Sequence, residues 1–426
     1  MFDIENPKVY ADRSGHTERR VFSYYAGYSQ SFATNLLSSL SLEPHATVLD
    51  PWNGAGTTTT ASALIGIHSI GQDMNPVMVL AAQSALITPE EITQLLQRAE
   101  NIVQSAKNLG PTLISHEPLE SWFHPESAQF VRRLENTLNC QAFDLGEYNN
   151  IFSRFGTTNI DKLTATLYVC LFNCVKKLLS EFVASNPTWV KIPHVEQRVD
   201  ISEDTITLAF LNEVKNISIK LTEKIKVAHK AEPTIQLGNS ESLNIPDESV
   251  DVVLTSPPYC TRIDYAVATR LELAILRTSV DQFDTLRRAM MGTSTVPRLK
   301  PSYDSNWGKT CDDFLVMLHD HASVASRTYY YKSHTQYFSS LYKSLAELAR
   351  VMRTNGRCFL VVQDSFYKDL LNPVCQIVVE MCENLGLRLE QETAFIAAKS
   401  MSSLNPKAKK YRADRRTSEK VLCFLK

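Results

Sequence analysis

A short apolar run that breaks into a glycine-rich turn and then a helix constrains this chain more than any other stretch. Ala46-Thr-Val-Leu-Asp50 reads as a buried strand. It runs directly into Pro51-Trp52-Asn53-Gly54-Ala55-Gly56-Thr57-Thr58, and a helical stretch follows from Thr59 to Ile65. Strand, turn and helix make the first unit of a doubly wound sheet, whose ligands sit at the carboxyl ends of the strands. Glycines at 54 and 56 let the backbone pass close to such a ligand, although plain tight turns share the pattern. His68-Ser-Ile-Gly-Gln-Asp73 reads as a second strand ending in a carboxylate. After Met74, Asn75 as N-cap and Pro76 as first helical residue start the next helix. A carboxylate at that strand tip can bind the two hydroxyls of a ribose; a loop carboxylate without a ligand is the plainer reading.

A second strand tip carries a different chemistry. Ser249-Val-Asp-Val-Val-Leu254 reads as a buried strand and leads into Thr255-Ser256-Pro257-Pro258-Tyr259. The prolines fix φ and bias their predecessors away from helix, so the chain leaves the sheet as a stiff extended loop. Neither proline has an N–H, which leaves their carbonyls as acceptors. The Ser256 hydroxyl and a proline carbonyl can then accept from one amino group while the Tyr259 ring offers a stacking face. That suits a reaction on the exocyclic amine of a flat base. The alternative is a proline-rich turn with a core tyrosine.

Bulk properties set limits on the partners. At 426 residues and 44% hydrophobic content the chain can bury a large core, as one domain with insertions or as two. A net charge of −2 excludes a uniformly basic nucleic-acid binder and directs attention to local patches. The nine cysteines contain no CxxC pair. Cys170 and Cys174, one helical turn apart in an apolar segment, read as core thiols. Reduced cysteines in the cytoplasm and no metal site are therefore expected. The N-terminus lacks a signal-peptide pattern. The apolar run Leu163–Val175 is shorter than the ~20 residues a bilayer span needs, so no membrane association is expected.

Taken together, Asp50-Pro-Trp-Asn-Gly-Ala-Gly-Thr-Thr58, Gly71-Gln-Asp-Met-Asn-Pro76 and Ser256-Pro-Pro-Tyr259 resemble the amino-directed DNA methyltransferases of the SPPY type. These move a methyl group from S-adenosyl-L-methionine to cytosine N4 or adenine N6. The likeness takes in Phe22 to Leu40, resumes at Leu237-Gly-Asn239-Ser240 and continues nearly to the C-terminus. It implies an α/β fold: a Rossmann-like class I methyltransferase sheet, mostly parallel with one antiparallel strand near the C-terminus, carrying helical insertions. It implies S-adenosyl-L-methionine as cofactor, held by Asp50, Pro51, Trp52, Gly54, Gly56, Thr57, Thr58, Asp73, Met74, Asn239 and Ser240. Ser256, Pro257, Pro258 and Tyr259 would form the catalytic loop acting on a base flipped out of the duplex. Trp52 stands where the family usually has Phe. Asn239 stands where it usually has Asp, and an Asn carbonyl can still accept from the adenine amino group. Ser256 leans toward cytosine N4, because the resembling adenine enzymes mostly carry an acidic or amide residue there. DNA is the implied partner, with a cognate restriction endonuclease as a second. Rival readings are an adenine-N6 enzyme, an RNA guanine-N2 methyltransferase and an inactive binding subunit of the same fold.

The resemblance divides the chain into a first half at 1–88, a mainly helical insertion at 89–232 and a second half at 233–426, itself interrupted at about 280–334. Thr88-Pro89-Glu90-Glu91 is a strong helix start, and further helices are predicted from Asp161 to Ala184 and from Ser202 to about His229. Ser153–Gly156 and Ser185–Lys191 offer aromatic and basic residues for nucleic-acid contact. So do Arg287, Arg288, Arg298, Lys300, Trp307 and Tyr329–Lys332. A helix through Phe338–Met352 is expected to stop at Asn355-Gly356. The strand Arg357–Val362, a helix Asn372–Leu385 and a closing hairpin, Leu387–Ala397 with Val421–Leu425, should follow. Lys407, Lys409, Lys410, Arg412, Arg415 and Arg416 make the densest positive patch and read as phosphate contacts.

Overall fold

The computed structural model describes residues 2–8, 21–22, 27–111, 116–142, 160–183, 190–225, 228–260, 263–296, 303–396 and 418–426. Seven strands form one sheet: β1 (Thr47–Asp50), β2 (His68–Asp73), β3 (Thr234–Leu237), β4 (Val250–Thr255), β5 (Met352–Gln363), β8 (Arg388–Ile396) and β9 (Ser418–Leu425). Their order is β3-β2-β1-β4-β5-β9-β8. The pairs from β3 to β5 are parallel, and β9 alone is reversed between β5 and β8. This is the predicted Rossmann-like sheet. β6 (Ser365–Tyr367) and β7 (Leu370–Asn372) form a separate antiparallel hairpin not expected from the sequence.

Alternation along the strands sorts the two faces. Val48, Val252, Leu254, Phe359 and Val361 point to one side, against Phe32, Leu36 and Leu37 of the helix Gln30–Ser39. Each of these three is almost fully buried, worth roughly 1.5–3 kcal/mol apiece. Leu49, Val253, Cys358, Leu360 and Val362 point to the other side, against the helices Tyr331–Val351 and Val374–Asn384.

Among the described residues, the block after residue 88 contains four long helices, Pro89–Asn108, Pro125–Ala142, Lys162–Leu178 and Glu203–Lys224. Thr88 and Glu91 close a reciprocal capping box at the first. The third is apolar nearly all round and shares one core with Val77–Ala82 of the helix Pro76–Ser84. A buried ionic network ties this block to the second half of the chain. Arg132, fully buried, donates to Glu117 and Glu135 and to the carbonyls of Ala274 and Ile275. All of its polar capacity is met, as a buried cation requires.

Several sequence-based boundaries move. The sequence predicts one helix from about Ala266 to Arg277 after the proline loop; the structure has two short ones, Tyr265–Ala268 and Arg270–Ile275, broken at Thr269. The long helix begins at Tyr331 and ends at Val351, and Asn355-Gly356 falls inside β5. Among the suggested nucleic-acid contacts, Trp307 is core and Arg287 is paired with Asp264 at 2.8 Å. The Tyr330 ring packs on Tyr367. Arg298, Lys300, residues 153–156, 185–189 and the basic run 407–416 lie outside the described residues. Among the described residues no helix is long and apolar enough to cross a membrane.

Candidate active site

The strand order reverses between β1 and β4, and a doubly wound sheet opens a crevice at that point. One cavity lies there, over the carboxyl ends of β1, β2 and β4. Asp73 and Met74 line it at the β2 tip; Asp50, Pro51, Trp52, Gly54 and Thr57 do so at the β1 turn. Asn239 and Ser240 contribute from the end of β3, and Ser256, Pro257, Pro258 and Tyr259 from the end of β4. The β2 and β4 tips are two strand spacings apart, about 10 Å across the sheet.

Gly56 and Thr58, predicted to touch a ligand, do not line the cavity. Gly56 has φ +81° and starts the helix Thr57–Ile65; an added Cβ would sit 2.9 Å from Cβ of Ala82. Its small size therefore serves helix packing. Thr58 is fully buried and bonds to Asp50 at 2.5 Å. Asp50 is 4% exposed, and its carboxylate is largely taken up inside the protein. It accepts from Thr58, from Thr255 at 2.6 Å, from the Trp52 N–H at 3.1 Å and from Tyr28 at 3.4 Å. Burial still pushes its carboxyl up from 3.8 to about 6, against the pull of those donors. Asp50 thus fastens the β1 turn to the β4 tip and to the Tyr28 segment.

Asp73 is placed differently. Oδ2 accepts from the Gly54 N–H and Oδ1 from the Asn75 N–H, both at 2.9 Å, which fixes the group at the cavity wall. Burial pushes it up to about 6, opposed by those two N–H groups. Each carboxylate oxygen has further lone-pair capacity, so the group fits a ligand with paired hydroxyls. Trp52, Met74 and Met78 add the polarisable, largely apolar wall that a purine ring needs. The Asn239 carbonyl accepts from the Glu241 N–H at 2.9 Å, closing a local turn, so one of its acceptor positions is already in use. Ser240 is bonded to Ser344 at 2.9 Å.

The proline loop is held from behind. The Ser256 hydroxyl donates to the Val361 carbonyl on β5 at 3.0 Å. Tyr337, from the long helix, donates to the Pro258 carbonyl at 3.0 Å, so that acceptor is already engaged. The Pro257 carbonyl has no hydrogen-bond partner among the described residues. Tyr265 accepts from the Tyr259 N–H at 3.1 Å.

Several cavity residues escaped the sequence reading: Tyr28, Met78, Tyr265, Met290 and Met291. Tyr28 falls within the Phe22–Leu40 likeness and Tyr265 six residues beyond Tyr259, so both left a signal. Met290 and Met291 left none, since the segment after the helix Val280–Ala289 folds back over the loop. Gly292 makes that return possible: its φ is +78°, and an added Cβ would lie 2.7 Å from the Tyr259 carbonyl oxygen. Gly292→Ala is expected to lower unfolding free energy by at least ~1–2 kcal/mol, the cost of a left-handed residue. A denaturant midpoint equal to the wild type would show that this turn relaxes freely.

No protein-family model matches the chain. It is 27% identical over 303 residues to the type II methyltransferase M.BsoBI of Geobacillus stearothermophilus, a match covering 66% of this chain and 58% of that protein. The chain thus spans less than two thirds of that relative's length. It is 21% identical over 362 residues to the type II methyltransferase M.MvaI of Kocuria varians, covering 78% of this chain and 73% of the other. Among solved structures, a SAM-dependent methyltransferase from Methanosarcina mazei aligns over 92% of this chain and 96% of its own, at 8% identity and a TM-score of 0.32. In sequence, the chain is similar to these type II methyltransferases.

Proposed function

We propose that the protein transfers a methyl group from S-adenosyl-L-methionine to the exocyclic amine of a DNA base, cytosine N4 in preference to adenine N6. The observation that carries this reading is the polarity of the proline loop. Ser256 spends its proton on Val361, so its oxygen is left to accept, and the Pro257 carbonyl is a second acceptor beside it. Two acceptors suit an amino group and would repel a carbonyl. A neutral serine at this position is what favours cytosine over adenine.

When bound, S-adenosyl-L-methionine supplies an electrophilic methyl group on a cationic sulfur. Asp73 would hold its ribose hydroxyls, with Trp52 and Met78 against its adenine. The chain's own work is then positioning and electrostatics. Ser256 and Pro257 take hydrogen bonds from the amine, turning its lone pair away from conjugation and favouring the charge that develops on nitrogen. Tyr259 stacks on the flipped base from the rim.

Incubation of duplex DNA and, in parallel, of RNA with labelled cofactor, followed by nucleoside analysis, tests the reading. N4-methylcytosine is expected. N6-methyladenine would overturn the base assignment alone, label confined to RNA would overturn the DNA reading, and no label on nucleic acid would overturn the whole.

The basic residues Lys407, Lys409, Lys410, Arg412, Arg415 and Arg416 are proposed to contact phosphate. Support comes from the residues flanking the segment: Ile396 of β8 pairs with Ser418 of β9, and Glu419 pairs with Gln363 at the carboxyl end of β5. The connection thus leaves from the same edge of the sheet as Ser256. Neutralising Lys409, Lys410, Arg415 and Arg416 together should flatten the slope of log affinity against log salt, by roughly 0.9 for each phosphate that is no longer neutralised. An unchanged slope would make the segment a solvated surface.

A further inference from the structure

Glu419 is a carboxylate that the methyl-transfer chemistry leaves unused. It is 3% exposed, and its Oε2 has no hydrogen-bond partner among the described residues. Its Oε1 lies 3.4 Å from Nζ of Lys8. Lys8 lies on a strap, residues 2–8, that crosses from the far edge of the sheet to the cavity. The backbone of Phe2 exchanges two bonds of 2.8 Å with the side chain of Gln391 on β8. Farther along, Pro7 accepts from the Ser29 N–H at 2.9 Å. The Lys8 ammonium then donates to the Gly27 carbonyl at 2.5 Å and to the Tyr259 hydroxyl at 3.3 Å, standing 6.0 Å from the Tyr259 ring centroid. Gly27 and Tyr259 both line the cavity.

We infer that Lys8 is a positioning residue for Tyr259: it fixes the ring that meets the base, and Glu419 holds the Lys8 ammonium in place. The inference rests on the reading of Tyr259 as a stacking face. Three observations support it. The Tyr259 backbone is already fixed by Tyr265 and hemmed in by Gly292, so the ring's remaining freedom lies at its hydroxyl end, where Lys8 sits. An ionised carboxylate as buried as Glu419 needs a counter-charge, and Lys8 is the cation found beside it. Gly27 joins the strap to the cavity wall, so one ammonium ties three segments of the rim together.

Removing Lys8 alone would strand a buried carboxylate and unfold the site for an unrelated reason. The test therefore uses the charge-neutral pair Lys8→Met/Glu419→Gln, together with Lys8→Arg and Tyr259→Phe. Misplacing a reacting group by ~1 Å can cost on the order of 10²-fold. A ring that is loosened but present should cost less, roughly tenfold in single-turnover rate, with the KM for DNA little changed. Lys8→Arg should keep most of the rate. Tyr259→Phe should lose as much as the double variant, and combining all three changes should add nothing. A second readout needs no activity: in protein labelled with 3-fluorotyrosine, the fluorine resonance of Tyr259, identified by its absence in Tyr259→Phe, should shift in the double variant and stay in place in Lys8→Arg. An unmoved resonance in Lys8→Met/Glu419→Gln overturns the inference, as do rate losses that multiply in the triple variant. Should the wild type label no nucleic acid, the methyltransferase reading falls, and the resonance alone still decides whether Lys8 holds the ring.

Discussion

Ser256→Ala should slow methyl transfer by about 10²-fold or more while leaving cofactor and DNA affinities near their wild-type values. The difference is one of timing. In the ground state the amine's nitrogen is nearly neutral, and a hydrogen bond to Ser256 is worth only ~1 kcal/mol net. As the nitrogen gains positive charge, an acceptor fixed by its bond to Val361 becomes worth several times more, and no water can replace it without reorganising. Substitution also leaves the Val361 carbonyl without its donor, at a modest cost in stability because Ser256 is only half-buried. Tyr259→Ala is expected to fail differently. It removes a stacking face worth ~1–3 kcal/mol per base, so the base itself should be held less well. A fluorescent base analogue at the target position separates the two, reporting flipping in Ser256→Ala and less of it in Tyr259→Ala. Equal signals in both variants would mean that the loop does not divide the labour in this way.

The parts of this site that were legible in the sequence are those built from contiguous residues at strand tips. Asp50 and Ser256 each follow an apolar run and Asp73 ends the strand His68–Asp73, and the sheet's own geometry carries those ends to one crevice. What was not legible depends on partners far along the chain. Asp50 looks like a ligand-binding carboxylate until Thr255, 205 positions away, is seen to donate to it. Gly56 looks like a ligand-facing glycine until Ala82 is found against it. The Pro258 carbonyl looks free until Tyr337 arrives from the long helix. Met290 and Met291 lie beyond the helix Val280–Ala289, and no local periodicity marks their return to the loop. Asn239 is a nearer miss, since Asn often caps its own turn two residues on, and here it does so with Glu241. The moved helix boundaries have a simpler origin. Met352 continues the apolar pattern of the helix before it, yet pairs with Val250 as the first residue of β5.

Asp73→Ala should weaken cofactor binding by about two to four orders of magnitude, the largest equilibrium effect expected in this protein. Two hydroxyl bonds to an ionised acceptor are worth roughly 1.5–3 kcal/mol each, and every ~1.4 kcal/mol is tenfold in affinity. The perturbed carboxyl adds a signature in pH. Burial raises Asp73 from 3.8 to about 6, so the folded protein without ligand holds this proton to higher pH than the unfolded chain does. The sign follows from linkage: this group's contribution to stability is complete below about pH 3.8 and is lost as pH rises through about 6. Asp73→Asn, which keeps an acceptor oxygen and drops the charge, should therefore favour the unligated fold more at pH 8 than at pH 5. Cofactor affinity runs the other way, because the hydroxyls need the ionised acceptor. In the wild type it should fall as pH drops through about 6, and binding near that pH should release protons, measurable by calorimetry in buffers of different ionisation enthalpy. Asp50 is likewise raised to about 6 and raises Asp73 by its charge, so it is the first group to substitute if pH dependence survives in Asp73→Asn. Wild-type affinity in Asp73→Ala, or a proton release identical in wild type and Asp73→Asn, would take this carboxylate out of the binding site.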